Sequence, residues 1–213
     1  MKNLYFLILT ICRMLRYLFS KTKRYSILLF LILINRPKSI LEIGVYNGVR
    51  AREMIEAAKV FNLNINYYGF DLFEIMNKNI LTEELSKMPL SEKQIDNFLS
   101  KIANIQLFKG YSQITLKSFK EKVDFVFIDG GHKIETIEND WRNCQKLLKK
   151  NSVVIFDDYF FNNKNLVEEF GCNKVVKQIS NKEYNTKNLY FIDKFTNQNE
   201  KLEIGLFFVK KIN

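Results

Sequence analysis

The stretch SILEIGVYNG, residues 39–48, begins as an apolar run and ends in two glycines and a polar turn. Ser39 to Val45 reads as a buried strand, and Val49 to Phe61 behind it as a helix. Gly44 and Gly48 let the backbone turn tightly and approach a ligand where the strand ends. A dinucleotide loop would carry G-x-G-x-x-G, but Glu42 stands where that pattern would start. A carboxylate there repels a pyrophosphate and suits a cationic or zwitterionic ligand.

The same alternation continues along the chain. INYYGFDLF (65–73), IQLFKGY (105–111), VDFVFID (123–129) and SVVIFDD (152–158) read as further strands, with a helix from Ile134 to Leu148. KVVKQIS (174–180) and LEIGLFFVKK (202–211) are expected to be two closing strands. Between the second and third strands, an insert from about 75 to 104 reads as irregular and partly helical, broken at Pro89. Alternation of this kind predicts an α/β fold with a doubly wound, mostly parallel sheet. Ligands then bind beyond the carboxyl ends of the strands. Asp71 ends the second strand, where an acid can accept hydrogen bonds from both ribose hydroxyls. Glu42 and Asp71 together describe a nucleoside with a positive centre and no pyrophosphate, as in S-adenosyl-L-methionine.

Composition narrows the class. With 47% hydrophobic residues and 14% aromatics, the 213-residue chain is not disordered and can bury a sizeable core. Cys12, Cys144 and Cys172 are odd in number and scattered, which fits a reducing, cytoplasmic setting and no disulfide framework. The net charge of +10 is local: residues 1–38 hold eight basic residues and no acid, leaving 25 basic against 23 acidic elsewhere. A nucleic-acid partner is therefore not expected.

The basic segment, residues 1–36, is also apolar and is expected to be a helical extension of a 37–213 domain. LYFLILTIC (4–12) and ILLFLILI (27–34) are too short to span a bilayer, which takes about 20 residues. Arg13, Arg16, Lys23 and Arg24 recur at helical spacing opposite Ile11, Met14, Leu15, Leu18 and Phe19. Two readings stand: residues 1–34 lie in the inner surface of a membrane, or they pack on the domain or on another subunit of a homo-oligomer.

ILEIGVYNG, YYGFDLF, FIDGGH and VVIFDDY, in that order and spacing, resemble the class I S-adenosylmethionine-dependent methyltransferases. More narrowly they resemble the branch of macrocin-type O-methyltransferases and cephalosporin-hydroxylase-like proteins. The resemblance covers about residues 37–211 and implies a seven-stranded sheet whose last strand is antiparallel. It implies that Glu42, Gly44, Tyr46, Asn47 and Gly48 line the methionine end of the cofactor, that Asp71 holds the ribose, and that Ser112 lies near the adenine. Asp129 would border the cofactor too. KKNS (149–152) replaces a proline-glycine-glycine turn, and Asn151 can adopt the left-handed conformation such a turn needs.

Strands four and five should be neighbours, about 4.8 Å apart. Asp129 would end one, Asp157 and Asp158 the other, and carboxylates crowded in this way call for a cation, Mg2+ or Mn2+ by their oxygen chemistry. Several relatives use such a triad for a divalent metal. His132, the only histidine, follows Gly130 and Gly131 and is the candidate general base, with Asp129 as its catalytic neighbour. Asp140 and Trp141 read as structural. A hydroxyl acceptor needs help in losing its proton more than an amine does, so the expectation is O-methylation of a sugar, glycan or other small natural product, with the 75–104 insert as substrate lid. The alternative is a non-catalytic or hydroxylase-type relative binding the same cofactor, including a membrane-attached accessory protein.

Overall fold

A computed structural model describes residues 2–197 and 200–212. Seven strands form one sheet in the order β3-β2-β1-β4-β5-β7-β6. They are β1 (Ser39–Ile43), β2 (Asn66–Asp71), β3 (Asn104–Lys109), β4 (Val123–Ile128), β5 (Leu148–Phe160), β6 (Tyr184–Asn197) and β7 (Glu200–Lys211). The first five pair in parallel, and β7 is antiparallel to both β5 and β6. The expected sheet and its antiparallel last strand are therefore present. Strand order reverses at β1, which pairs with both β2 and β4; ligands bind at such a switch point.

Helices cover both faces. They are α1 (Lys2–Leu18), α2 (Arg24–Asn35), α3 (Val49–Ala58), α4 (Lys78–Glu83), α5 (Glu92–Leu99), α6 (Ser112–Ser118), α7 (Ile134–Gln145), α8 (Leu166–Glu169) and α9 (Asn173–Lys177). The period of two along each strand sorts the core into halves. Ile40, Phe125, Phe127, Val153 and Ile155 pack against α1, α2, α3 and α5. Leu41, Ile43, Val126, Ile128, Val154 and Phe156 pack against α6, α7 and α9. The insert carries α4 and α5, on either side of an irregular stretch containing Pro89.

Three expectations are corrected. KVVKQIS is not a strand: residues 173–177 form α9, and the sixth strand comes later, at Tyr184–Asn197. Val175, Val176 and Ile179 are buried at helical spacing beside Cys172, and Asn173 pins the segment by bonding both the N–H and the carbonyl of Phe160. Strand β5 starts at Leu148, four residues early, by passing through Asn151 at φ 67°, the left-handed conformation foreseen for that residue.

The third correction concerns the basic stripe of the N-terminus; of the two readings of residues 1–34, packing on the domain holds for α2. Leu28, Leu29 and Ile32 on α2 are fully buried in the core shared with β1 and β4, each stabilising the fold by about 1.5–3 kcal/mol. Arg13 and Arg24 are largely buried and leave the expected outward stripe, while Arg16 stays 62% exposed at its edge. Arg16 pairs with Glu53 at 2.9 Å, Arg13 pairs with Glu56, and both acids are buried on α3. These acids lie too far along the chain for local periodicity to reveal the pairing. Among the described residues no helix is long and apolar enough to cross a membrane.

Candidate active site

The carboxyl ends of β1, β2 and β4 open into a cleft of about 820 Å³. The insert walls one side; the α1–α2 turn and the β6–β7 hairpin contribute to the rest. Gly44, at φ 90°, is a requirement of this geometry, because a Cβ there would overlap the carbonyl oxygen of Asp129. Only glycine lets the two strand ends meet. Asp71 is fixed by two backbone donors: the N–H of Tyr46 at 2.8 Å and that of Phe73 at 3.2 Å. Tyr46, Asn47 and Ser112 line the cleft with Gly44 and Asp71.

Two residues of the expected cofactor set stand elsewhere. Glu42 follows Ile40 by two positions and so points to the α1–α3 face, where it is fully buried. The Tyr67 hydroxyl donates to its carboxyl, while Oε1 has no partner among the described residues. Burial pushes it up to about 8, so it is neutral near pH 7 and sits behind the cleft wall. Gly48 serves the backbone: at φ 73° it turns the chain into α3, against Ile95 and Phe98 of α5.

The acidic rim is also rearranged. Asp129, His132 and Asp158 each offer one donor atom within 4.8 Å of the others. Asp157 does not join them. At the left-handed Asp158, φ 53°, the carboxylate meets His132 and stands 3.9 Å from Arg24. Asp157 takes the Arg24 guanidinium, with Nε at 2.7 Å, and accepts from the Tyr25 hydroxyl at 3.1 Å. The same guanidinium pairs with the fully buried Asp193 of β6. The expected trio Asp129–Asp157–Asp158 is thus replaced by Asp129–His132–Asp158.

His132 is held at both nitrogens. Nδ1–H donates to the Glu84 carbonyl at 2.7 Å, and Nε2 faces Asp158 at 2.6 Å. Burial alone would lower its pKa, but the hydrogen bond and charge of Asp158 override this and hold it at about 9. The expected neutral base is therefore an imidazolium in this pocket. Asp158 is held below the usual carboxylate range by that imidazolium, against the opposing effect of burial. Asp129 is raised well above it by burial and by its neighbours Asp157 and Asp158. Glu84 ties the insert to the rim: its carboxylate accepts from Lys133 N–H at 3.0 Å and from Thr136 Oγ1 at 2.8 Å, at the start of α7. Gly131 leaves room for it. Asp140, on the buried face of α7, is fully buried and raised to about 7 by that burial, outside the cleft lining.

Sequence reasoning missed Arg24, Tyr25, Glu84 and Asp193 at this site. The one available signal was an acid-free basic segment in the same chain as an acid-rich strand end. Nothing local joins Arg24 to Asp193, which lies 169 residues away.

This sheet order with an antiparallel last strand, and a cleft at the β1–β4 switch, are the class I methyltransferase architecture. Solved structures share it. An N-methyltransferase NodS from Bradyrhizobium japonicum in complex with S-adenosyl-L-homocysteine matches at TM-score 0.63 and 12% identity, covering 96% of this chain and 99% of that one. An O-methyltransferase from Bacillus cereus in complex with the same product matches at 0.58 and 15%, over 99% and 90%. The O-methyltransferase TomG from Streptomyces achromogenes in complex with S-adenosylmethionine matches at 0.55 and 12%, over 88% and 78%. Residues 41–159, more than half of the chain, match a family model described as a methyltransferase domain; the chain belongs to this methyltransferase family. An uncharacterised protein of Acanthamoeba polyphaga mimivirus is 28% identical over 124 residues, which is 56% of this chain and 50% of the viral protein. The chain thus spans about half the length of that relative.

Proposed function

We propose that the protein binds S-adenosyl-L-methionine in this cleft and transfers its methyl group to a hydroxyl of a sugar, glycan or other small natural product. The observation that carries the reading is the pairing, in one cleft, of an Asp71 carboxylate aimed by backbone donors with an Asp129–His132–Asp158 rim. Asp71 suits the ribose, Gly44, Tyr46 and Asn47 the methionine end, and Ser112 the adenine side. A volume of about 820 Å³ leaves room for a small acceptor beside the cofactor.

In the transfer, the acceptor oxygen bonds to the methyl carbon as the carbon–sulfur bond breaks, and the electron pair stays on sulfur. The sulfonium supplies its own leaving group, so alignment dominates and the remaining task is the acceptor's proton. Asp129, made more basic than an ordinary carboxylate by burial and by Asp157 and Asp158 and left without a hydrogen bond among the described residues, is the group suited to take it. His132, anchored by the Glu84 carbonyl, holds Asp158 ionised and orients the rim.

The rim also fits a divalent cation. Its two carboxylates and one imidazole are crowded, the Asp129 carboxyl forms no hydrogen bond among the described residues, and Nδ1 is anchored in the way that frees Nε2 for a metal. Asp129, His132 and Asp158 would hold the ion, and its chemistry would be Lewis-acid polarisation of the acceptor hydroxyl. Nε2 can carry a proton or a cation but not both.

Calorimetry with S-adenosyl-L-methionine, followed by a screen for S-adenosyl-L-homocysteine release over glycosides and hydroxylated natural products, tests the reading. Cofactor binding with hydroxyl-dependent turnover is expected. Absence of cofactor binding, or turnover on amines alone, would refute it.

A further inference from the structure

Helix α1 faces the wrong way for an ordinary surface helix. Arg13 turns inward to Glu56 and Arg16, 62% exposed on the helix flank, is tied to Glu53, while Leu4, Tyr5, Ile8, Ile11 and Leu15 are 44–62% exposed. At 3.6 residues per turn these five side chains share about 120° of the helix circumference. Phe19, just past the helix end, is 89% exposed and extends the strip. A contiguous apolar strip of this length marks an interaction surface.

Charge says what covers it. Residues 1–38 contain no acid, and the arginines at 13, 16 and 24 are already paired. Lys2 at one end of the strip, and Lys21 and Lys23 at the other, are exposed and form no ion pair among the described residues. Beside Lys2 lies a notch of about 530 Å³, lined by Lys2, Lys59 and Lys101 with Tyr5, Phe6 and Leu63 among its walls, and by no acid. A second copy of the chain, packed antiparallel strip to strip, would bring lysines against lysines with nothing to neutralise them. An anionic bilayer satisfies both features at once: acyl chains take the apolar strip, and lipid phosphates take the lysines at its ends.

We propose that the outer face of α1 docks on an anionic lipid bilayer, with the Lys2–Lys59–Lys101 notch receiving a lipid phosphate. The surface is apolar in its middle and basic at its ends, the reverse of an arginine-faced helix. The turn after Phe19 runs through Thr22 and Arg24 into the cleft wall, so docking brings the cleft next to the lipid surface. The inference does not depend on methyl transfer.

The test is co-sedimentation of the full chain with vesicles of phosphatidylcholine containing one quarter phosphatidylglycerol, against vesicles of phosphatidylcholine alone. Binding to the anionic vesicles is expected, with at least tenfold weaker binding for Ile8→Asp/Leu15→Asp and for Lys2→Glu/Lys101→Glu, and weakening by salt. Should the aspartates disturb folding in thermal melts, Phe19→Ser, at a site outside any helix, serves instead and should weaken binding severalfold. Equal recovery with and without anionic vesicles would overturn the proposal. So would a concentration-dependent dimer, abolished by Ile8→Asp/Leu15→Asp, in a protein that ignores vesicles; that outcome assigns the strip to a second copy.

Discussion

Replacing Arg24 by methionine removes the cation placed between the buried Asp157 and Asp193 and 3.9 Å from Asp158. The Arg24 side chain is 10% exposed, Asp157 1% and Asp193 0%, so water does little to solvate what remains. Deleting one partner of a buried pair costs about 3–5 kcal/mol, because the charge left behind is uncompensated. For a chain of this size each kcal/mol moves the melting point by roughly 2–4 °C, so Arg24→Met should melt about 10 °C lower near pH 8. The sign with pH follows from Asp193, already raised by burial despite Arg24. Without Arg24 its folded pKa rises further above the unfolded value, so the folded state binds a proton that the unfolded state has lost. The stability deficit should therefore grow as pH rises and shrink towards pH 5. Urea titrations of wild type and variant from pH 5 to 8 measure it directly. Arg24→Met/Asp193→Asn should recover about 1–2 kcal/mol, part of the cost of the lone charge. An unchanged midpoint at pH 8, or a deficit flat across the range, would refute this account of the N-terminal helices as electrostatic partners of the rim.

Asp71→Ala should weaken S-adenosyl-L-methionine binding about tenfold or more by calorimetry, since charge-assisted hydrogen bonds are worth about 1.5–3 kcal/mol; unchanged affinity would remove Asp71 from the ribose site. Glu42 has a folded value of about 8 against 4.5 unfolded, so it lowers stability progressively between those values, by about 4–5 kcal/mol at pH 9. Glu42→Gln should remove that slope and melt higher than wild type at pH 9, with cofactor affinity little changed. His132, raised to about 9 from 6.5, contributes stability that is complete below pH 6.5 and lost as pH rises through 9. His132→Gln should accordingly be less stable at pH 6 by up to about 3 kcal/mol and match wild type above pH 9 in thermal melts. With a competent acceptor, Asp129→Asn should lose most turnover and any stimulation by Mg2+; an intact Mg2+ response in that variant would place the ion elsewhere.

The parallel core of the fold was legible because its signals are local. Strands β1, β2, β4 and β5 are buried on both faces, so each reads as an apolar run, and the parallel ladder of each gives way to an acid or glycine: Gly44, Asp71, Asp129 and Asp157. Asp71 and Asp129 were placed by the same logic, since a residue at the end of a parallel strand can only face the switch-point cleft. Strand β6 escaped because it is the sheet's edge, polar along one face, and its register shifts between Leu189 and Asp193, which breaks the period of two. The apolar residues of α9 imitated a strand because the segment is too short for a period of 3.6 to declare itself.

What the tertiary structure alone decided is which charges meet. The acids of the rim, the cationic stripe and the lone histidine could all be read off the chain. Their pairing could not, because electrostatic partners are chosen by distance in space. Arg24 reaches Asp157 and Asp193 from 133 and 169 residues away, which engages Asp157 and leaves Asp129, His132 and Asp158 as the cluster at the rim. Arg13 turns inward, and Arg16 is held at the helix flank, for the same reason: two buried acids on α3 need cations. The sequence determined the sheet, the cleft and the residue types around it. The packing of the N-terminal helices determined which of those residues remain free to act.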